Sequence, residues 1–358
     1  MIVIGAGIIG LAVALETCRR GASVILLERG EAGCESSWAA AGMLSLPHSD
    51  EHAAMRQLCL WSKDIYPEWV RQIEAICGLS CDYDACGTMY VAGSGSAPQP
   101  RDAEEQTREQ IMQTEPSLAP TAGRVFLLRE ESVDPRSLLA ALLEACKREG
   151  VVVHHEHPVS ELLIDRDCVA GVRAIGDDFH ARSVVNCAGA WANDIAHDPL
   201  GVRVSPAKGQ ILSVLPHEKA AGIRHIVRNE QIYLVPRRDG RIIIGATVED
   251  IGYDKRVEPD AIRRLHQLAA DLVPILGQAR ITDAWAGLRP RTFDGLPIIA
   301  PCQQLQHYFY ATGHFRNGIL LAPATAKLVS ALLLGETPEL DCAAFAAVRS
   351  SAPRKQLR

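Results

Sequence analysis

Three glycines in the first ten residues carry the clearest chemistry of the chain. Gly5-Ala6-Gly7-Ile8-Ile9-Gly10 follows the apolar run Met1-Ile2-Val3-Ile4 and leads into Leu11-Ala12-Val13-Ala14-Leu15-Glu16, an order that reads as strand, tight turn and helix. Gly5 permits the turn, Gly7 lets backbone approach a pyrophosphate, and Gly10 lets the helix pack close to the strand. The first N–H groups of that helix, at its positive dipole end, are suited to phosphate. A second apolar run, Ser23–Leu27, ends at Glu28, 18 residues beyond Gly10 and placed to accept from a ribose 2′-OH. An acid there disfavours a 2′-phosphate, so the motif points to a dinucleotide other than NADP and leaves FAD and NAD open.

The next stretch, Arg29-Gly30 and then Cys34 to Ser45, is small and alanine-rich. Small side chains let backbone lie flat against a large planar ligand. Ser36 and Ser37 are placed to bond phosphate or ribitol, or to cap a local helix start; either way donors point at a phosphate.

Composition bounds the rest. The chain has 358 residues, 47% hydrophobic and 22% charged, enough for two domains of ordinary globular character. A net charge of −6 with no basic run and few aromatics argues against nucleic acid. No apolar stretch reaches membrane-spanning length, so no membrane partner is expected. The first strand begins at Met1, so no signal peptide is expected. Eleven cysteines are mostly scattered, and the cluster Cys77, Cys81, Cys86 lacks metal-ligand spacing. Reduced thiols in a cytoplasmic protein and no metal are the expectation.

The elements that must position these groups follow from periodicity and punctuation. Residues 49–78 carry a helical pattern broken near Pro67. Strands are expected over 87–92 and 125–128, a flexible turn region over 93–100, and a solvated polar helix over 101–113. Asp134-Pro135 opens a helix to Glu149. A buried strand, Val151–Val153, precedes a meander over 159–165, 169–175 and 180–185. Strands over 206–214, 232–236 and 241–247 and a helix over 259–275 follow. Near the end, Tyr308 to Pro323 reads as a strand entering a second helix. The fold class is α/β: a Rossmann-like dinucleotide domain plus a smaller α+β domain with a mostly antiparallel sheet.

Several segments together resemble the D-amino-acid oxidase superfamily of flavoproteins, most of all its glycine oxidase branch tied to thiamine thiazole synthesis. They are the opening glycine motif, Leu27-Glu28-Arg29, Ser37 to Leu44, Val133-Asp134-Pro135, Ala188-Gly189-Ala190-Trp191, Lys208-Gly209-Gln210, Trp285 to Pro290, and Thr312 to Pro323. The resemblance spans nearly the whole chain and implies FAD as the cofactor. It implies a discontinuous FAD-binding domain over 1–82, 134–205 and 284–358, with a substrate-binding domain over 83–133 and 206–283. A homo-oligomer is what the family suggests.

The resemblance also assigns roles. Gly5, Gly7 and Gly10, with Ile8 and Ile9 between, take the pyrophosphate, and Glu28 takes the adenosine ribose with Arg29 beside it. Ser36, Ser37, Ala40, Ala41, Gly42 and Met43 line the ribityl chain and ring, and the backbone of Val159 meets adenine. Ala188, Gly189, Trp191 and His314 belong to the cofactor site. Arg316, Asn317, Gly318, Ile319 and Leu320 sit by the pyrimidine end, where N–H groups and a helix dipole favour negative charge. Arg289, in a Gly-Leu-Arg-Pro turn, matches the carboxylate-binding arginine, whose planar fork suits a substrate carboxylate. Tyr233 supplies a hydroxyl to the same group, and Arg316 lies near the amine side. Hydride transfer from the α-carbon to flavin N5 needs no general base if the amine arrives neutral. The expected products are an oxo acid, ammonia and, through O2 as electron acceptor, hydrogen peroxide.

The small amino-acid substrate is left open among glycine, sarcosine, D-alanine and D-proline. The family's glycine oxidases resemble Gly-Ala-Thr-Met where this chain has Gly245-Ala246-Thr247-Val248, and the shorter Val248 leaves more room if it lines the pocket. The alternatives are a D-amino-acid dehydrogenase with another electron acceptor, a NAD-dependent dehydrogenase, and a non-catalytic FAD-binding subunit.

Overall fold

In the computed structural model, residues 1–46, 52–93, 103–119, 123–216 and 223–349 are described. Residues 94–100 of the turn region expected at 93–100, and the first residues of the segments expected at 49–78 and 101–113, lie outside them. The chain begins with β1 (Ile2–Ile4), α1 (Ile8–Arg19), β2 (Ile25–Leu27), β3 (Met43–Leu44) and α2 (Ala53–Cys77). It continues with β4 (Thr88–Val91), β5 (Glu104–Gln106), α3 (Arg108–Thr114), β6 (Val125–Leu128), β7 (Glu131–Ser132) and α4 (Pro135–Arg148). Then come β8 (Val152–His154), β9 (Val159–Asp165), β10 (Cys168–Ala174), β11 (Asp177–His180), β12 (Val184–Asn186) and β13 (Val204–Leu215). The last part holds β14 (Ile226–Arg228), β15 (Tyr233–Pro236), β16 (Ile242–Gly245), α5 (Pro259–Leu272), β17 (Arg280–Thr292), β18 (Ile298–Pro301), β19 (Tyr308–Thr312) and α6 (Gly318–Leu333).

Two sheets dominate. One has the order β18-β19-β12-β1-β2-β8, parallel except at β18. Alternation along its short strands decides what covers each face. Val3, Leu26, Val185 and Phe309 pack against α1, α2, α4 and α6, while Ile2, Leu27, Val184 and Tyr308 pack under the antiparallel meander β9–β11. The second sheet has the order β17-β13-β16-β15-β14-β4-β6-β5, antiparallel except for β14 beside β4. Leu212, Leu234 and Ile244 pack on α5 through Ile262 and Leu265. On the opposite face Ile211, Val235, Ile243 and Trp285 turn towards Ala39 and Ala41. The α/β class is as expected.

Several local expectations need correction. α2 runs unbroken through Pro67 because Met55, Leu58, Tyr66, Trp69, Val70 and Ile73 bury one continuous stripe, and that packing outweighs one lost backbone bond. Segment 103–114 is the short strand β5 and then α3, whose Thr107–Gln110 capping box fixes a later start. The run expected at 180–185 is split, because β11 ends the meander and β12 joins the parallel sheet. β8 is a sheet edge, not a buried strand: it pairs only β2, and Val152 is 51% exposed. Gly287 to Pro290 is no turn but the interior of the 13-residue β17, an edge strand on which Pro290 costs no ladder bond. Among the described residues no helix is long and apolar enough to cross a membrane.

Candidate active site

A cavity of about 540 Å³ runs between the two sheets. At one end stands the turn from β1 to α1. A Cβ on Gly10 would lie 1.8 Å from the Gly5 carbonyl oxygen, so only glycine lets α1 sit this close to the strand. Glu28 is buried here. Its carboxylate accepts from Ala6 N at 2.7 Å and Gly30 N at 3.0 Å, so it braces the turn while lining the cavity. No helix starts at Ser36 or Ser37. Ser37 Oγ instead accepts from Ile8 N at 3.0 Å, capping α1 from outside, and both serines line the cavity.

The alanine-rich segment forms the long wall. Trp285 Nε1 donates to the Ala39 carbonyl at 3.2 Å and Arg237 Nη2 to the Ala41 carbonyl at 2.6 Å. Those two bonds tie the segment to the second sheet and leave Ala40, Ala41, Gly42 and Met43 along the cavity. Arg29, Val159, Ala188, Gly189 and Trp191 close the end near Glu28. His314, Arg316, Gly318 and Ile319 line the region where α6 begins. Three expected contacts fall outside the lining. Gly10 is turned into its own packing contact and Asn317 is the residue before α6. Leu320 is buried in the helical layer, where its carbonyl accepts from Ser62 Oγ at 2.6 Å.

Arg289 and Tyr233 reach the cavity from opposite sides of two strands. Arg289 extends from β17 over β13, and a Cβ on Gly209 would lie 2.1 Å from its Nη1. Tyr233 extends from β15 over β16, and a Cβ on Gly245 would lie 2.5 Å from its hydroxyl. The two groups interact where they meet. Arg289 Nη1 donates to the Thr247 carbonyl at 3.0 Å, and no carboxylate partners it among the described residues. Burial pushes its pKa down, with Arg316 adding like-charge repulsion. Burial raises the Tyr233 phenol, opposed by the charges of Arg289 and Arg316. A desolvated guanidinium without a counter-ion is costly and is relieved by an anion. Arg316 itself is exposed at the rim. His314 is held down to about 3 by burial, and its Nε2 lies 3.0 Å from Thr325 Oγ1. It is neutral at ordinary pH and engaged away from the substrate end.

Gly209 and Gly245 as space-makers, and Thr247 as the acceptor for Arg289, are residues of the site to which the sequence expectations give no role. Unusual glycines inside β-branched strand runs were the available signal.

These residues fit an extended dinucleotide carrying a planar ring. The backbone wall is built of small residues, two helix N-termini face the same space, and a Cβ on Gly42 would strike the Val133 carbonyl at 2.0 Å. Comparison with known proteins agrees. Residues 1–332 match the DAO family of FAD dependent oxidoreductases. The chain belongs to that family, and FAD is its cofactor. A glycine oxidase of Pseudomonas aeruginosa is 34% identical over 97% of this chain and 98% of its own length. A bifunctional protein ThiO/ThiG of Trichormus variabilis is 36% identical over 92% of this chain, which spans about half of that relative's length, 52%. The crystal structure of glycine oxidase from Geobacillus kaustophilus superposes with a TM-score of 0.89 at 28% identity, covering 98% of both chains.

Proposed function

We propose that the chain oxidises a small amino acid, glycine foremost, with sarcosine, D-alanine and D-proline as further candidates, and passes the electrons to O2. Hydrogen peroxide forms in each case. Hydrolysis of the imine gives the oxo acid with ammonia from glycine or D-alanine and with methylamine from sarcosine, while D-proline yields a cyclic imine that keeps its nitrogen. The observation that carries this reading is the half-buried guanidinium of Arg289, with no carboxylate partner among the described residues, facing the Tyr233 hydroxyl in a cavity that fits FAD. The glycine oxidase relatives that match the full length support the same chemistry.

Bound FAD supplies the acceptor for the two electrons that leave the substrate. The protein's part is binding and orientation. Arg289 takes the substrate carboxylate on its planar fork and Tyr233 donates to the same group. Arg316, at the rim, adds positive charge on the approach. Two guanidinium groups near one site disfavour a further cation, so the substrate amine is held neutral and its α-carbon needs no protein base. His314 does not serve as one: burial holds its pKa down to about 3, which makes it a weak proton acceptor, and its Nε2 is engaged with Thr325. The discontinuous two-domain division belongs to this reading, with the substrate held by the antiparallel sheet. So does a cytoplasmic location, the compartment in which scattered cysteines such as these eleven stay reduced.

The test is the visible spectrum of the purified flavoprotein under anaerobic conditions. Bleaching by glycine and recovery in air is the expected result. A flavin that stays oxidised with glycine, sarcosine and small D-amino acids alike overturns the reading. Bleaching without recovery in air removes O2 as the acceptor. With Arg289→Ala, half-saturation by amino acids should rise by roughly 100-fold or more, as for a lost charge-assisted pair. Amines lacking a carboxylate should be little changed.

A further inference from the structure

The segment between β16 and α5 crosses from one side of the cavity to the other. It leaves the second sheet at Gly245, passes the cavity at Ala246 and Val248, and reaches the nucleotide end at Tyr253 and Lys255. There the Tyr253 ring stacks on Trp191, with centroids 5.7 Å apart and planes at 27°. Its hydroxyl donates to the Ala190 carbonyl at 3.1 Å. Trp191 also carries the Arg29 guanidinium, 3.7 Å from its centroid. Lys255 Nζ lies 3.1 Å from the Glu35 carboxylate, which also takes Arg29 Nη2 at 3.3 Å. Arg29, Glu35 and Trp191 line the cavity beside Glu28; Tyr253 and Lys255 do not. The wall at the nucleotide end is therefore braced from behind by residues some 60 and 220 positions away in the chain, as Trp191–Tyr253 and Glu35–Lys255 show.

We propose that Tyr253 is a positioning residue for cofactor retention. Its stack holds Trp191, and through it Arg29, as a closed wall, and FAD leaves only when that stack opens. The Lys255–Glu35 pair is the second fastening of the same segment. An aromatic pair of this kind contributes enough to slow opening by roughly 2- to 10-fold, and an exposed ion pair contributes less and is screened by salt.

FAD release from the holoenzyme, followed as gain of flavin fluorescence after dilution, tests this without any substrate. Its outcome therefore stands apart from the glycine test. Tyr253→Ala should release FAD roughly 2- to 10-fold faster, with the helical signal of the holoprotein before dilution unchanged. Tyr253→Phe keeps the stack and should stay close to the parent rate. Release of FAD from Tyr253→Ala at the parent rate overturns the proposal, as does an equal loss in Tyr253→Phe, which would assign the effect to the hydroxyl. Should Tyr253→Ala fail to fold, Lys255→Met decides: faster release with a weaker salt dependence supports the fastening, and an unchanged rate and salt dependence overturns it.

Discussion

The guanidinium of Arg289 occupies the space in which a Gly209 side chain would stand, 2.1 Å from where its Cβ would be placed. A cation reaching from β17 depends on a missing side chain in β13, the strand between it and the ligand. Gly209→Ala should therefore displace the arginine without touching the glycine turn at β1. The expected outcome is weaker binding of amino-acid carboxylates by roughly 10-fold or more, the scale of a charged hydrogen bond spoiled by geometry, with FAD affinity retained. Titration of the bound flavin's spectrum with a non-oxidisable carboxylate such as acetate reads the first effect, and flavin content reads the second. Unchanged acetate binding would mean that β13 yields without moving Arg289.

Val248 lines the cavity from the segment after β16, with 42% of its surface exposed. Val248→Met should fill space beyond the substrate α-carbon. Relative kcat/KM for D-proline against glycine should fall roughly 10-fold, the scale of a methylene or two in a pocket. Equal kcat/KM ratios in both proteins would place the size limit elsewhere.

His314 binds its proton far less readily in the folded chain, at about 3, than in the unfolded one, near the ordinary 6.5. Between those values the unfolded state holds the extra proton, so stability is present above about pH 6.5 and is lost as pH falls towards 3. The slope is up to about 1.4 kcal/mol per pH unit. Urea unfolding from pH 7 to 4 should show this slope in the parent and a shallower one in His314→Gln. Parallel slopes would show that other groups carry the acid sensitivity.

What was legible in the sequence depended on how local the cause was. The glycine turn and the Asp134–Pro135 helix start are set by neighbours within a few residues, and the structure has both where the local pattern puts them. The helix through Pro67 and the strand through Pro290 were misread because a local rule yields to packing from distant segments. Arg289 could be singled out only through the family resemblance. Its setting was not legible, because Gly209 and Tyr233 reach it only through a strand order, β17-β13-β16-β15, that no periodicity encodes. Tyr253 left no signal at all, being an ordinary aromatic in a loop whose partner, Trp191, lies 62 residues upstream.

The order of strands carries a last consequence. The chain enters the parallel sheet four times, through β1–β2, β8, β12 and β18–β19, with the meander β9–β11 between the second and third visits, and it builds the second sheet in two instalments, β4–β6 and β13–β17. Neither sheet is a continuous stretch that can come loose by itself. Pulling one apart drags on four covalent crossings and on the ties from Trp285 and Arg237 to the alanine-rich wall. Melting of the chain and discharge of its flavin should therefore coincide in one transition, with the yellow colour leaving the protein at the temperature where its helices do.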